Sequence, residues 1–229
     1  MRRKLAVRRL GRVPYREAPD LQAQLVDDRR ANHIPDTLLL LEHPHVLTLG
    51  VRGVTTNIVA PAERLAELRV EVHETGRGGD VTYHGPGQIV GYPILDLRPD
   101  WQDVHRYVRD LEEVLLRVCK DFDVAAERNP GLTGVWVNHA TRGHEKIAAI
   151  GVRIARWVTS HGFALNVNTD LDFFSLIVPC GIADRGVTSL ERLTGQRLEL
   201  SAVEDRVVAH FVAVFERHVV EADHPIVAK

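Results

Sequence analysis

Cys180 lies in a stretch whose residue types suit a reactive thiol. The segment reads Val-Pro-Cys-Gly-Ile over residues 178–182, so Pro179 restricts the backbone before the cysteine and Gly181 frees it afterwards. A tight turn of this kind presents a small nucleophile to a substrate. A thiol attacks only as a thiolate, and it therefore needs a cation or a base beside it. The local sequence leaves a reactive and a structural role for Cys180 equally open.

Lys146 is the best candidate for that cation. It begins the strand-like segment Lys-Ile-Ala-Ala-Ile-Gly-Val, residues 146–152, directly after a polar stretch. A partly desolvated ammonium there would hold Cys180 as a thiolate and accept a proton once the cysteine is acylated. A solvated strand end explains the same lysine equally well. The small residues at positions 148, 149 and 151 would leave room for a substrate beside the strand.

His84 and His161 are candidates for the general base of a Cys–His pair. Each precedes a glycine at a predicted bend, where a histidine serves equally well to cap a turn by hydrogen bonding to the backbone. The sequence does not decide between these roles. It contains no His-x-x-x-His or Cys-x-x-Cys spacing, so we predict no metal site and no cofactor.

The stretch Arg77-Gly-Gly-Asp-Val-Thr-Tyr-His-Gly-Pro-Gly-Gln88 combines a permissive backbone with polar side chains. Its alternating centre, residues 80–84, predicts a strand between two turns, and a buried strand follows from residue 88. Because glycine lets the backbone approach a ligand closely, we predict that this stretch lines a ligand site; a plain tight turn is the alternative. Residues 76–79 resemble a phosphate-binding loop only loosely, since no helix follows them.

Apolar periodicity predicts the elements that must position these residues. Because regular helices do not separate the strands, a doubly wound parallel sheet is not expected. We predict an α/β fold of the α+β kind, with a mixed, mostly antiparallel sheet flanked by helices. Strands are predicted at residues 4–10, 38–41, 46–49, 80–84, 88–95, 134–137, 146–156 and 158–167, and helices at 14–32, 61–68, 101–121, 188–193 and 201–220, with a polar turn at 138–145 and a helical turn at 170–176.

Two of these helices carry specific expectations. The helix at 101–121 has an apolar stripe, and Cys119 beside it is expected to be packed rather than reactive. Ser201 and Glu204 match a capping box at the start of the last helix. The stripe consists of Trp101, Val104, Val108, Leu111, Leu115 and Val118.

Bulk composition describes an ordinary globular chain. Its 229 residues fit a single catalytic domain, 1–229, with a core of about 5–220 and a frayed C-terminal tail. A net charge of −2 gives no general attraction to nucleic acid or a membrane surface. The basic N-terminus lacks the apolar core of a signal peptide, and no apolar run approaches membrane-spanning length. We therefore expect a cytoplasmic protein with reduced thiols.

Four motifs together resemble one known family. They are Arg77-Gly-Gly-x-x-Thr-x-His-Gly-Pro-Gly-Gln88, Lys146-Ile-Ala-x-Ile-Gly151, His161-Gly-x-Ala-Leu-Asn166 and Pro179-Cys-Gly-Ile182, in this order. Any one alone is weak evidence, but as a set they are highly specific. The chain from about residue 5 to 193 resembles the octanoyltransferases of lipoate biosynthesis, the lipoate-protein ligase B family.

The resemblance implies a fold like the catalytic domain of biotin/lipoate protein ligases, which is related to class II synthetases. It implies transfer of octanoyl from octanoyl-acyl carrier protein to a lysine of the lipoyl domains of 2-oxoacid dehydrogenase complexes or the glycine cleavage H protein. Cys180 would carry the acyl thioester and Lys146 would lower its pKa. The substrate pocket would be lined by Arg77, Gly78, Gly79, Asp80, Val81, Thr82, Tyr83, His84, Ala149, Ile150, Gly151, Gly162, Phe163 and Ala164.

Other details of this mechanism remain expectations. We expect backbone N–H groups near Gly78, Gly79 or Cys180 to hold the oxyanion, because they are fixed donors. Arg52, Arg153 and Arg156 would either meet the acidic partner domains or, as the simpler explanation, be solvated strand residues.

Three other functions compete with acyl transfer. An ATP-dependent lipoate or biotin ligase on the same fold would adenylate a free acid and would need no cysteine. An acyl-binding module without catalysis is disfavoured by the presence of Cys180 and Lys146. A thiol hydrolase using Cys180 and His161 would release free octanoate to water.

Overall fold

The computed structural model describes residues 3–98, 101–178 and 186–220. Two sheets and five helices account for most of these residues. The strands are β1 (Arg3–Arg12), β2 (Asp36–Glu42), β3 (Val46–Leu49), β4 (Glu71–Glu74), β5 (Val81–His84), β6 (Gln88–Ile94), β7 (Ala126–Asn129), β8 (Leu132–His139), β9 (Gly143–Ala155), β10 (Val158–Asn166), β11 (Gly186–Val187) and β12 (Arg217–Val220). The helices are α1 (Ala18–Arg30), α2 (Ala62–Glu67), α3 (Val104–Asp121), α4 (Leu190–Thr194) and α5 (Leu200–Val214).

The larger sheet has nine strands in the order β12-β1-β2-β6-β10-β9-β8-β7, with β11 beside β9. The smaller sheet has the order β4-β3-β5. The pairs β12–β1, β1–β2, β11–β9 and β3–β4 are parallel, and the remaining pairs are antiparallel. The predicted mixed, mostly antiparallel sheet is therefore confirmed among the described residues.

Strand β2 is central because both of its faces are buried. Leu38 and Leu40 contribute to the core beneath α3 and α5, while Leu39 and Leu41 contribute to the core beneath α1. All four leucines are at most 1% exposed. A continuous apolar run suits such a strand, since neither face of the sheet meets water. The large sheet thus has an α1 face and an α3/α5 face, and the smaller sheet has a separate core.

Helix α3 follows its predicted stripe except at its start. Leu111, Leu115 and Val118 are fully buried, but Val104 is 44% exposed. The helix begins at Val104 because Asp103 caps it by accepting a hydrogen bond from the backbone N–H of Arg106. The assignment of Val104 to the stripe was wrong, since the first helical residue projects beyond the sheet. Cys119 is buried as expected, and burial raises the pKa of its thiol to about 12.

The last helix differs from its prediction at both ends. It begins at Leu200 with Glu199 as N-cap and no side-chain capping bond, so the predicted Ser201–Glu204 capping box is wrong. It ends at Val214, and the residues expected to continue it form β12. The chain leaves the helix because β12 pairs with β1 and the buried Arg217 binds Asp36. The partners of β12 and of Arg217, which are β1 and Asp36, both lie far away in the sequence.

Short turns join β8 to β9 and β9 to β10. The polar turn expected at 138–145 is shorter, because β8 continues to His139 and β9 begins at Gly143. Strand β7 was not predicted at all. The two long strands β9 and β10 do meet at Arg156 and Trp157, which both have positive φ (52° and 64°) as a two-residue hairpin turn requires. None of the described helices is long and apolar enough to cross a membrane.

Asp36 joins four parts of the chain through one buried carboxylate. It is 2% exposed, and it binds Arg29 of α1 (2.8 Å), Arg3 of β1 (3.0 Å) and Arg217 of β12 (3.0 Å). It also accepts a hydrogen bond from the backbone N–H of Asp96, just after β6. Buried charges require this kind of pairing, so Asp36 fixes how the edge strands and α1 meet.

Replacing Asp36 with asparagine should lower the free energy of unfolding by about 3–5 kcal/mol, because it removes the buried carboxylate charge that three guanidinium groups share. Unfolding in guanidinium chloride measures this. The matched control is Asp27→Asn, since Asp27 is 77% exposed in its ion pair with Arg30 and such pairs contribute at most about 1 kcal/mol. Equal effects of the two substitutions would contradict the assigned role of Asp36.

Candidate active site

A cavity of about 310 Å³ lies against the α1 face of the large sheet, between β9, β10 and the stretch that begins at Arg77. This volume is at the small end of the range for ligand pockets, about 300–1,000 Å³. Lys146 lines the cavity, and so do all the pocket residues predicted from the sequence except Tyr83. The structure therefore brings residues of the motifs that begin at Arg77, Lys146 and His161 together along the cavity.

Tyr83 lies outside the cavity because alternation on β5 turns it the other way. It is fully buried in the core of the small sheet, where its hydroxyl is 2.8 Å from His45 Nδ1 and its ring stacks 5.2 Å from Phe173. Its neighbours Thr82 and His84 line the cavity. The prediction treated the whole motif as ligand-lining and overlooked the period of two.

The floor of the cavity is made of small residues on β9 and β10. Ala149 pairs with Ala164, and Gly151 pairs with Gly162. The stretch at Arg77 crosses directly above Gly151, because the N–H of Gly78 donates to the Val152 carbonyl (2.9 Å). A Cβ added at Gly151 would lie 2.8 Å from the Gly78 carbonyl oxygen, so a larger residue would fill the cavity or displace this stretch.

That same hydrogen bond corrects the oxyanion expectation. The N–H of Gly78 already donates to Val152, so it is not available to a developing oxyanion. Of the three groups expected, the N–H groups of Gly79 and Cys180 remain as candidates.

His84 belongs to a chain of buried hydrogen bonds that crosses the site. Arg77 Nη2 donates to Thr48 Oγ1 (2.9 Å), and that hydroxyl lies 3.4 Å from His84 Nε2. His84 Nδ1 lies 2.7 Å from Gln88 Oε1. Gln88 Nε2 donates to Asn166 Oδ1 (2.9 Å), and Asn166 Nδ2 donates to the Thr188 carbonyl (3.0 Å).

The direction of this chain assigns the proton on His84. Because Gln88 uses its amide nitrogen as the donor to Asn166, its oxygen must accept from His84 Nδ1–H. His84 Nε2 then accepts from the Thr48 hydroxyl. Burial, with repulsion from His43 and Arg77, lowers the pKa of His84 to about 3. Both ring nitrogens are therefore engaged, which argues against His84 as the general base.

Lys146 lies at a β-bulge that turns its side chain toward the site. The register between β8 and β9 shifts at Val135 and Trp136, so that Trp136 pairs with Lys146. The ammonium lies 4.6 Å from the centre of the Trp136 ring, a distance that suits a cation–π contact. Gly134 (φ 121°) passes beneath the lysine, and a Cβ there would collide with the Ala148 carbonyl at 2.6 Å.

Cys180 and the rest of residues 179–185 lie outside the described residues. The chain on either side is held at the cavity. Val178 donates its N–H to Asn57 (2.7 Å), whose side chain donates to the cavity residue Asp80 (2.5 Å). On the other side, Gly186 and Val187 pair with Glu145 and Lys146, and Val187 lines the cavity.

Several lining residues were missed by the sequence analysis. Most come from elements distant in the sequence from the four motifs, and no local motif marks them as ligand-lining. Tyr15, for example, packs on His43 (ring centres 5.0 Å apart). The residues that line the cavity without having been predicted include Tyr15, Arg52, Val90, Tyr92, Leu132, Thr133 and Phe174.

Three histidines near the cavity are held in their neutral forms: His43 and His84 are buried, and His161 is half-buried. Burial lowers the pKa of His43 and of His161 to about 4 each, as it lowers that of His84. His43 is fixed at both nitrogens, with Nδ1 2.7 Å from the Val13 carbonyl and Nε2 2.8 Å from the Tyr92 hydroxyl. Among the described residues, no group of three histidine, cysteine, aspartate or glutamate side chains could hold a metal ion.

These histidines should make stability depend on pH. Each has its pKa depressed on folding from 6.5, so below pH 6.5 the unfolded chain binds protons that the folded chain does not. Stability is therefore complete above about pH 6.5 and is lost as the pH falls toward 4. Each histidine contributes a slope of up to about 1.4 kcal/mol per pH unit.

Denaturant unfolding between pH 7.5 and 4.5 measures that slope. His43→Asn should flatten it by the share of one histidine, whereas His33→Asn should leave it unchanged, because the His33 side chain is 71% exposed. An identical slope in both variants would show that His43 does not titrate as described.

Comparison with known proteins places this fold and cavity in a family. A model of the lipoyl protein ligase A/B catalytic domain matches residues 14–212. An octanoyltransferase of Solibacter usitatus is 51% identical over 93% of this chain and 94% of its own length. One of Myxococcus xanthus is 49% identical over 97% of this chain, which spans 62% of that longer relative.

The fold has a solved counterpart at low sequence identity. In the archaeal lipoylation system of Thermoplasma acidophilum, described as a bi-partite lipoate protein ligase and its E2 lipoyl domain, one chain superposes with a TM-score of 0.71. Identity is 17%, and the match covers 95% of this chain and 87% of the other. At this identity the likeness establishes the fold.

The chain therefore belongs to the lipoyl protein ligase A/B catalytic-domain family. Within that family, the relatives that are 49% and 51% identical to this chain are octanoyltransferases. The protein is therefore an enzyme of the acyltransferase class. The resemblance inferred from the four motifs is confirmed.

Proposed function

We propose that this protein transfers an octanoyl group from acyl carrier protein to a lysine of lipoyl domains, through a thioester on Cys180. The observation that carries the proposal is the cavity itself: a floor of small residues that ends at Lys146, with both neighbours of the Cys180 segment attached to its rim. The names of the half-identical relatives support octanoyl as the group transferred.

The first half-reaction forms the enzyme thioester. The Cys180 thiolate attacks the carbonyl of the octanoyl thioester, and the carrier's thiolate leaves and takes up a proton from the Lys146 ammonium, which becomes a neutral amine. Lys146 stabilises the attacking thiolate by its positive charge. One thioester is exchanged for another, so this step needs no ATP. The N–H groups of Gly79 and Cys180 are the candidates for holding the tetrahedral oxyanion.

The second half-reaction forms the amide. The acceptor lysine attacks as a neutral amine, the Cys180 thiolate leaves, and one proton must be removed from the attacking nitrogen. Lys146 is the group proposed to relay that proton, since acylation has removed its anionic partner. Conversion of a thioester into an amide makes this half favourable.

The proposed partners are two small protein domains. The donor is octanoyl-acyl carrier protein, and the acceptors are lipoyl domains of 2-oxoacid dehydrogenase complexes and the glycine cleavage H protein. Arg52 is exposed and lines the cavity, so it is placed where either acidic partner would approach. Arg153 and Arg156 are exposed at the far end of β9 and just beyond it.

The first test is an intact mass spectrum of the protein mixed with octanoyl-acyl carrier protein in the absence of ATP. One octanoyl adduct is expected, removable by hydroxylamine, and Cys180→Ser should lack it. Cys119→Ser is the matched control and should keep the adduct, because Cys119 is buried in the core. Labelling that requires ATP and free octanoate would instead identify an adenylating ligase.

The second test addresses Lys146. Lys146→Ala should reduce the rate of acylation at neutral pH by at least tenfold and recover part of it at higher pH, because hydroxide can then deprotonate the thiol that the ammonium no longer assists. The pH profile of adduct formation measures this. Acylation by Lys146→Ala at the wild-type rate at pH 7 would remove the lysine from the mechanism.

A further inference from the structure

A second cavity of about 330 Å³ lies on the same α1 face of the large sheet. It is formed between α1, residues 74–76 and the hairpin end of β9 and β10. Its lining is mixed, with Pro19, Ala23 and Val26 of α1 facing Ser160 and Arg153. The acyl-transfer chemistry proposed above makes no use of this space.

Two residues line both cavities, Tyr15 and His161. Tyr15 reaches down from the short 3₁₀ turn Tyr15–Glu17 and is 4% exposed. Its ring packs against His43 and lies parallel to His84, with ring centres 6.4 Å apart. It is therefore held from several sides at the boundary between the two cavities.

His161 reaches that boundary only through an unusual backbone conformation. By the period of two on β10, Val158 and Ala164 face α1, whereas Phe163 and Leu165 face α3 and α5. His161 should share the second face, but it lines the cavities on the first. Its φ is 54°, in the left-handed region, which is strained for a residue with a side chain.

Gln22 maintains this conformation. Its side-chain oxygen accepts a hydrogen bond from the His161 N–H (2.7 Å), and Gln22 is only 4% exposed. The His161 ring then meets Tyr92 edge-on, with centres 6.2 Å apart. A strained backbone conformation thus places the His161 imidazole between two cavities that would otherwise join.

The boundary lies far enough from Lys146 to accommodate a medium acyl chain. His161 pairs with Val152, which lies six residues beyond Lys146, roughly 20 Å along the strand at about 3.3 Å per residue. An extended octanoyl chain, with C–C bonds of about 1.5 Å, spans about 9 Å and fits within that distance together with the thioester.

We propose that Tyr15 and His161 form the wall that limits the acyl chain to about eight carbons, and that the second cavity would hold longer chains if the wall were removed. This inference rests on the proposed function, because it assumes that the carbonyl end of the chain lies beside Lys146. The wall excludes longer chains because the Tyr15 ring is held by the His43 and His84 rings and the backbone of His161 is fixed by Gln22.

The test is a competition between octanoyl- and dodecanoyl-acyl carrier protein, followed by intact mass spectrometry of the enzyme. The variants are Tyr15→Ala and His161→Gly, and glycine accepts the positive φ at position 161 without strain. Each newly buried methylene favours binding about fourfold, so the ratio of dodecanoyl to octanoyl adduct should rise at least tenfold in each variant.

Leu25→Ala is the matched control. Leu25 is 4% exposed in the same core beneath α1 and lines neither cavity, so its loss loosens this region without opening the wall. The adduct ratio of this control should equal that of the wild type. Circular dichroism identifies the variants that fold, and His161→Gly alone decides the matter if Tyr15→Ala does not fold.

The outcomes separate the two proposals. A wild-type enzyme that forms no octanoyl adduct would refute the proposed function and the wall together. An octanoyl adduct on the wild type, with an unchanged ratio in a folded wall variant, would overturn the wall and leave the proposed function standing. A ratio that rises equally in Leu25→Ala would also overturn the wall, because general loosening would explain it.

Discussion

The chain of hydrogen bonds from Arg77 to Thr188 is the constraint on which the site depends. Each member is buried, so each donor and acceptor must find a partner inside the protein. Only one arrangement of protons satisfies the chain, and it requires a neutral His84 with its hydrogen on Nδ1. The chain links the small sheet, β6 and β10 to the residue directly after β11. Since Thr188 in turn donates to the Lys146 carbonyl (3.0 Å), the position of the lysine is tied to the arginine across the cavity.

The fold and the site divide the charged groups between separate tasks. Asp36 and its arginines gather near the edge of the sheet formed by β1 and β12, and they bind one another. The cavity is lined by the neutral His84 network, by Lys146 beside an aromatic ring, and by Arg52, Arg77 and Asp80. The neutral forms of His84 and His161 reduce the number of charges that an apolar chain would meet there, because a buried charge without a partner is costly.

Structural features that local sequence patterns determine could be predicted from the sequence. Features that depend on contacts between residues far apart in the chain were missed. The strands at β2, β6, β9 and β10 were predicted because apolar periodicity and glycine turns bound them. Thirteen of the fourteen predicted pocket residues do line the cavity, because motif positions on paired strands share a face. The prediction was wrong for Tyr83, because side chains alternate between the two faces of the short strand β5 and Tyr83 points away from the cavity. Strand β12 and the contribution of Tyr15 could not be predicted, since each depends on a partner far along the chain, Asp36 for the first and His43 for the second.

Gly134 has a consequence for any attempt to transplant this chemistry. It has no side chain, lines neither of the two cavities described above and lies twelve positions before Lys146, so a comparison of pocket-lining residues would not select it. Its bare Cα nevertheless lets β8 lie close beneath the lysine and the bulge form. A scaffold given the cysteine and the lysine but an alanine here would have the right functional groups pointing in the wrong direction. The orientation of Lys146, and with it the proposed chemistry, therefore depends on the absence of a Cβ atom on a neighbouring strand.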